Sequence, residues 1–208
     1  MTVLKKISSG LGSRDEVPNQ ELAKSIVKEN DKAAIKELVA NLRNSNKAIQ
    51  QDCIKVLYEI GERSPKLITQ YINDFVELLV SKNNRLQWGG MIALNCVSKT
   101  DPSGIYKNLS QIMSAADKGS VITKDHAVNI LVNLASVPDY SSDALSLLLE
   151  QLKNCPLNQF AMYAERSFQV VNGQNKEVFL KALSARLPEI EKESKRKRIE
   201  KVIKELSK

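Results

Sequence analysis

The chain is poor in the residues from which most catalytic centres are built. It holds one histidine, three cysteines and one tryptophan among 208 residues. A lone imidazole, His126, excludes metal sites that rest on clustered histidines and leaves any nucleophile relay a single base. Cys53, Cys96 and Cys155 form no CxxC pair and are odd in number. Reduced, structural thiols are therefore expected, not a disulfide framework. The eight glycines never gather into GxGxxG or a P-loop, so no phosphate cradle is encoded. No apolar run approaches the ~18 residues of a membrane span. The first ten residues lack the apolar stretch of a secretory signal. Aromatics, at 5 %, are scarce, which suits a core of Leu, Ile, Val and Ala between closely packed helices. These absences point to a soluble, cytoplasmic protein without cofactor, metal or catalytic residue.

Acidic residues are outnumbered, and the imbalance is local. The net charge is +7. From Gln174 to Lys208 there are eleven Lys or Arg against six Glu, a local balance of +5 that leaves +2 for the rest. The run Lys195, Arg196, Lys197 and Arg198 is a candidate patch for an anionic partner. Glu189, Glu191, Glu193 and Glu200 dilute it, so a solvated helix face is the simpler expectation.

What the sequence does have is a period. Leu57, Leu94, Leu131 and Phe168 stand 37 positions apart. Ile60, Val97, Leu134 and Val171 keep the interval, as do the small residues Cys53, Gly90, Ala127 and Ala164. A repeat of this length is the signature of stacked helical hairpins, each burying its apolar face on its neighbour.

Ser64-Pro65 and Asp101-Pro102, again 37 apart, each offer an N-cap oxygen followed by proline at the first helical position. Hairpins are expected at about 31–62, 64–99, 101–136, 138–172 and 174–206. A leading helix is expected at 18–30, and residues 1–17 read as a flexible segment ahead of one solenoid domain over 18–208. In the last hairpin the register slips by one, so that Ile199, Val202 and Leu206 fall in line while Glu205 takes the strict position. A charged terminal hairpin suits a cap whose outer face meets water.

The second helix of the 64–99 hairpin reads Arg85, Leu86, Gly90, Ala93, Leu94 and Val97, following a proline-started first helix and a short polar turn. In this it resembles the HEAT-repeat family, with armadillo repeats a close alternative that lacks support from any consistent third short helix. The resemblance covers roughly 31–206. It implies an all-α, right-handed α-α superhelix of about five hairpins plus the leading helix, with the second helices lining a concave face.

Dividing the second helices at about 100° per residue places Gln51, Lys55, Tyr58 and Glu62 opposite the buried positions. The repeat carries these to Trp88, Ile92, Asn95 and Lys99, then Asp125, Asn129, Val132 and Ser136, then Met162, Arg166 and Gln169. A purely solvated face would not hold the only tryptophan beside Tyr58, Ile92 and Met162. The expected site is a partner-binding strip of Lys55, Tyr58, Trp88, Ile92, Asn95, Asn129, Met162 and Arg166. Gly89-Gly90 interrupts this helix, and close helix packing is the expected reason. The leading expectation is a non-enzymatic scaffold that binds a protein segment. The alternative is nucleic-acid binding, through the basic terminal helix or a groove like that of HEAT-like DNA glycosylases, for which Trp88, Asp125 and Arg166 would be the lining residues. Glu59 and Glu62 on the same face weigh against a phosphate-binding surface.

Overall fold

The computed structural model describes residues 2–208; Met1 lies outside them. Every regular element among the described residues is helical. The α-helices are α1 (Val17–Glu29), α2 (Lys32–Ala40), α3 (Lys47–Arg63), α4 (Ile72–Leu78), α5 (Asn84–Val97), α6 (Pro102–Lys107), α7 (Leu109–Lys118), α8 (Val121–Ala135), α9 (Pro138–Asn154), α10 (Leu157–Ser167), α11 (Lys176–Arg186) and α12 (Glu193–Leu206). Where the sequence suggests one uninterrupted array over 18–208, the chain forms two compact units, Met1–Ala127 and Val128–Lys208, whose boundary falls within α8.

In the first unit α3 packs against α1 on one side and α5 on the other, while α2 and α4 pack on α3 and α5. Helix starts are written by short polar side chains. Asp31, Asn46, Asn83 and Asp101 each accept a hydrogen bond from a first-turn N–H. Ser64 does not, contrary to its expected role. Its backbone, at φ −149° and ψ 76°, is neither helical nor regular strand, and Pro65 opens a 3₁₀ turn, Pro65–Leu67, followed by Thr69–Tyr71 before α4 begins. The Thr69 hydroxyl donates to the Pro65 carbonyl at 2.9 Å, and at the α6–α7 break the Asn108 amide donates to the Gly104 carbonyl at 2.9 Å. A side chain that bonds back four residues competes with the helical ladder, so the first helices of these two pairs are broken. That division is armadillo-like, where the sequence showed no regular third helix.

The repeat columns hold through this unit. Leu57 and Leu94 are wholly buried, as are Ile60 and Val97, each side chain contributing roughly 1.5–3 kcal/mol. Gly89 and Gly90 let α5 approach two helices at once. A Cβ on Gly90 would stand 2.9 Å from the Phe75 carbonyl oxygen of α4, and one on Gly89 would stand 2.7 Å from Ile54 Cγ1 of α3.

The segment expected to be flexible before α1 is pinned. Val3 and Ile7 are buried. The Val3 N–H donates to Glu37 at 3.0 Å, the Ser8 N–H to Asn19 Oδ1 at 2.9 Å and the Ser9 N–H to Asp52 Oδ2 at 2.7 Å. Asn19 Nδ2 in turn donates to Asp52 Oδ1 at 2.7 Å. Two apolar anchors and a buried polar relay thus outweigh the local glycines.

In the second unit α9 packs on α11, α10 packs on α12, and each pair closes on the other through α9–α10 and α11–α12. Phe160, Tyr163 and Phe179 fill its core. Here the column breaks. Phe168 is 42 % exposed, although its counterparts at Leu57, Leu94 and Leu131 are wholly buried. The Ser167 hydroxyl donates to the Tyr163 carbonyl at 2.7 Å, α10 stops, and Phe168–Val170 tightens into a 3₁₀ turn that swings Phe168 outward. The shifted register of the last pair holds: Ile199, Val202 and Leu206 are the buried residues of α12.

Candidate functional site

The candidate site lies in the first unit, on α3 and α5. Lys55, Glu59 and Arg63 follow one another four residues apart on α3 and therefore share a face. Lys55 Nζ lies 2.9 Å from one oxygen of Glu59, and Arg63 Nη1 lies 2.5 Å from the other. Burial alone would raise the Glu59 carboxyl, but hydrogen bonds from Lys55 and Arg63 outweigh it and hold that group below the ordinary carboxylate range. Burial likewise works against the Lys55 ammonium, yet Glu59, Tyr58 and Glu16 more than offset it, and its affinity for the proton rises.

Lys55 Nζ sits 4.9 Å over the Tyr58 ring, within cation–π reach. The Tyr58 ring meets Trp88 of α5 at a centroid distance of 6.0 Å and an interplanar angle of 51°. Burial pushes the Tyr58 hydroxyl up in pKa. The outcome is a row of cation, phenol and indole across two neighbouring helices, with Trp88 half-buried at its outer end. Glu16, at the start of α1, joins it: one carboxylate oxygen is 3.2 Å from Lys55 Nζ and the other 3.8 Å from Arg85 Nη2. Farther along α5, Asn95 Nδ2 is 3.1 Å from His126 Nδ1 of α8.

The structure therefore brings Lys55, Tyr58 and Trp88 together and corrects two assumptions about the strip. Tyr58 and Ile92, expected on an open face, are 6 % and 8 % exposed. α3 has α1 on one flank and α5 on the other, so its buried arc is wider than a single contact would make it. Asn129, Met162 and Arg166 belong to the second unit, where all three are half-buried and Met162 and Arg166 lie one turn apart on α10. Glu16, Arg63 and Arg85 were not among the expected site residues. The i, i+4 spacing of Lys55, Glu59 and Arg63 could have revealed the ladder; nothing local marks Glu16.

The basic run of α12 is largely committed within its own unit. Lys195 Nζ donates to the Asn158 carbonyl at 3.1 Å, and Arg196 donates to the Ile190 carbonyl at 3.1 and 2.8 Å. Arg198 grips Glu165 with a fork whose Nε bond is 2.7 Å, and Lys197 pairs with Glu193 at 3.3 Å. Arg186 plays a comparable part at the end of α9. Its Nη1 donates to the Leu152 and Cys155 carbonyls at 2.8 and 2.9 Å, and its guanidinium lies 4.8 Å from the Phe160 ring.

Helical hairpins with side-by-side second helices, two of them with broken first helices, define an all-α helical-repeat fold of the HEAT/armadillo kind. Solved structures share it across nearly the whole chain. A designed armadillo repeat protein in complex with the peptide (KR)4 matches with a TM-score of 0.68 at 16 % identity, covering 91 % of this chain and 87 % of that one. Computationally designed armadillo repeat proteins for modular peptide recognition match with a TM-score of 0.67 at 15 % identity, covering 95 % and 97 %. An engineered protein matches with a TM-score of 0.64 at 19 % identity, covering 99 % of both chains. At such identities the likeness establishes the fold alone. No family model and no curated protein sequence matches the chain. No helix among the described residues is long and apolar enough to cross a membrane.

Proposed function

We propose that the protein is a non-catalytic scaffold that binds a peptide or protein segment on the face formed by α3 and α5, centred on Trp88. The observation that carries this reading is the position of the only tryptophan. It is half-buried and tilted against a buried tyrosine that Lys55 covers, so part of it remains accessible to a partner. Aromatic anchors held in place before binding carry much of the energy at interfaces, because little ordering remains to be done. Fold neighbours described as recognising peptides support the same class of role. Asn95, joined to His126, supplies amide chemistry about two turns beyond Trp88. By repeat position, Asn129, Met162 and Arg166 offer comparable groups in the second unit.

Trp88→Ala tests the reading. Removing a central anchor is expected to lower affinity by about 2 kcal/mol or more, so partners captured from the native cell by the unaltered protein are lost. Melting measured in parallel is expected to shift by only a few degrees. A large fall in melting temperature with the partner set intact rejects the interface and makes Trp88 a packing residue.

A further inference from the structure

We infer, building on the peptide-binding reading, that the surface around Trp88 takes an acidic segment, and that Glu16 stands where that segment's carboxylate would sit. Two carboxylates touch the cations of this face, and they are held differently. Glu59 is gripped by Lys55 and Arg63 from its own helix, and its side chain is only 8 % exposed. It stays with α3 whatever binds. Glu16 arrives from another element, at the end of the connection that leads into α1, and its side chain is 47 % exposed. Its two oxygens span a cation on α3 and a cation on α5, and the Arg85 distance of 3.8 Å is too long for a hydrogen bond.

Arg85 and Lys55 each stand three residues before the aromatic of their own helix, Trp88 and Tyr58, so cation and ring share a face on both helices. A partner carboxylate that displaces Glu16 meets Lys55 and can close on the Arg85 fork in the two-bond geometry Glu16 does not reach. The apolar part of the same segment then lies on Trp88. A basic segment finds the exposed Glu62 on this face, but drawing Glu16 away would leave Lys55 and Arg85 facing it unbalanced.

Trp88, the only tryptophan, reports on the site directly by its fluorescence. The test titrates it with an octapeptide alternating Glu and Ala and with one alternating Lys and Arg. The proteins are the unaltered chain, Glu16→Gln and Arg85→Gln, both changes at partly exposed side chains that leave the core alone. The acidic peptide is expected to bind, roughly 3-fold tighter to Glu16→Gln and roughly 3-fold weaker to Arg85→Gln, with affinity falling as salt rises. If Glu16→Gln leaves acidic affinity equal or lower, Glu16 does not compete and the inference fails. If only the Lys–Arg peptide binds, the charge class is wrong while the peptide-binding reading stands. If neither peptide alters the signal of any protein, the inference fails, and capture with Trp88→Ala alone decides the wider reading.

Discussion

Lys55 in the first unit and Arg186 in the second are both cations poised over an aromatic ring, at 4.9 and 4.8 Å, and their side chains are 14 % and 13 % exposed. Their partners set them apart. Arg186 lies 3.5 Å from the carboxylate of Glu189, but its short bonds go to two backbone carbonyls at the end of α9, groups that no helical N–H reaches. Lys55 faces carboxylates, one from its own helix and one from a separate segment. A cation that closes a helix end is committed for as long as the fold lasts. One balanced by a carboxylate from elsewhere can trade it for another. Arg186 thus finishes the structure of the second unit, whereas the Lys55 pair with Glu16 in the first is the one that the acidic-segment proposal opens to exchange.

The largest contrast between the units lies in the repeat column. Leu57→Ala is expected to cost about 2–5 kcal/mol, the range for emptying a wholly buried leucine. Phe168→Ala, at the equivalent repeat position, is expected to cost under about 1 kcal/mol because its ring is already half in water. Urea unfolding of the two variants checks this, and equal losses would show that the column is still intact at Phe168. Next in size, Arg186→Met is expected to destabilise by about 2 kcal/mol, since it takes the guanidinium from the Cys155 carbonyl and leaves that of Leu152 with the weak Cys155 thiol donor. Lys55→Met is expected to cost less, as Arg63 still serves Glu59; a larger loss at Lys55 would reverse the contrast just drawn.

A smaller effect depends on pH. Because the folded carboxyl of Glu59 is held below its ordinary value, its contribution is complete above the usual carboxylate range and is lost as pH falls through the folded value. The stability difference between the unaltered protein and Glu59→Gln is therefore expected to be on the order of 1 kcal/mol near neutrality, to start shrinking as pH enters the ordinary carboxylate range, and to vanish only below the folded value. Thermal melts across that range follow it, and a gap that widens on acidification would contradict the ladder. Smallest is Lys197→Glu. Its pair with Glu193 is exposed on both sides, so the melt is expected to move by less than about 0.5 kcal/mol.

The periodicity made most of the architecture legible, because stacked hairpins bury equivalent side chains and leave equal intervals in the sequence. It failed at Phe168, where a serine hydroxyl ends α10 by a bond to a backbone carbonyl, a choice that hydrophobic spacing does not encode. It also failed at Ser64, where proline opened a tight turn instead of a full helix. The site was half legible. Angular position pointed to Lys55, Tyr58 and Trp88, but treated α3 as if it met one neighbour, and so left Tyr58 in the open; it left Ile92 of α5 in the open as well. Glu16 could not be found this way, since its place depends on how Ser8, Asn19 and Asp52 pin a segment whose composition reads as loose.

The free thiols give each unit its own clock. Cys53 is wholly buried in the first unit, with its thiol pushed up to about 12 by burial, and Cys155 is buried in the second. Only a thiolate that reaches water attacks an alkylating reagent, so neither sulfur is modified until its surroundings come apart. Labelling rates at the two positions, read by mass, therefore tell which half of the molecule lets go first.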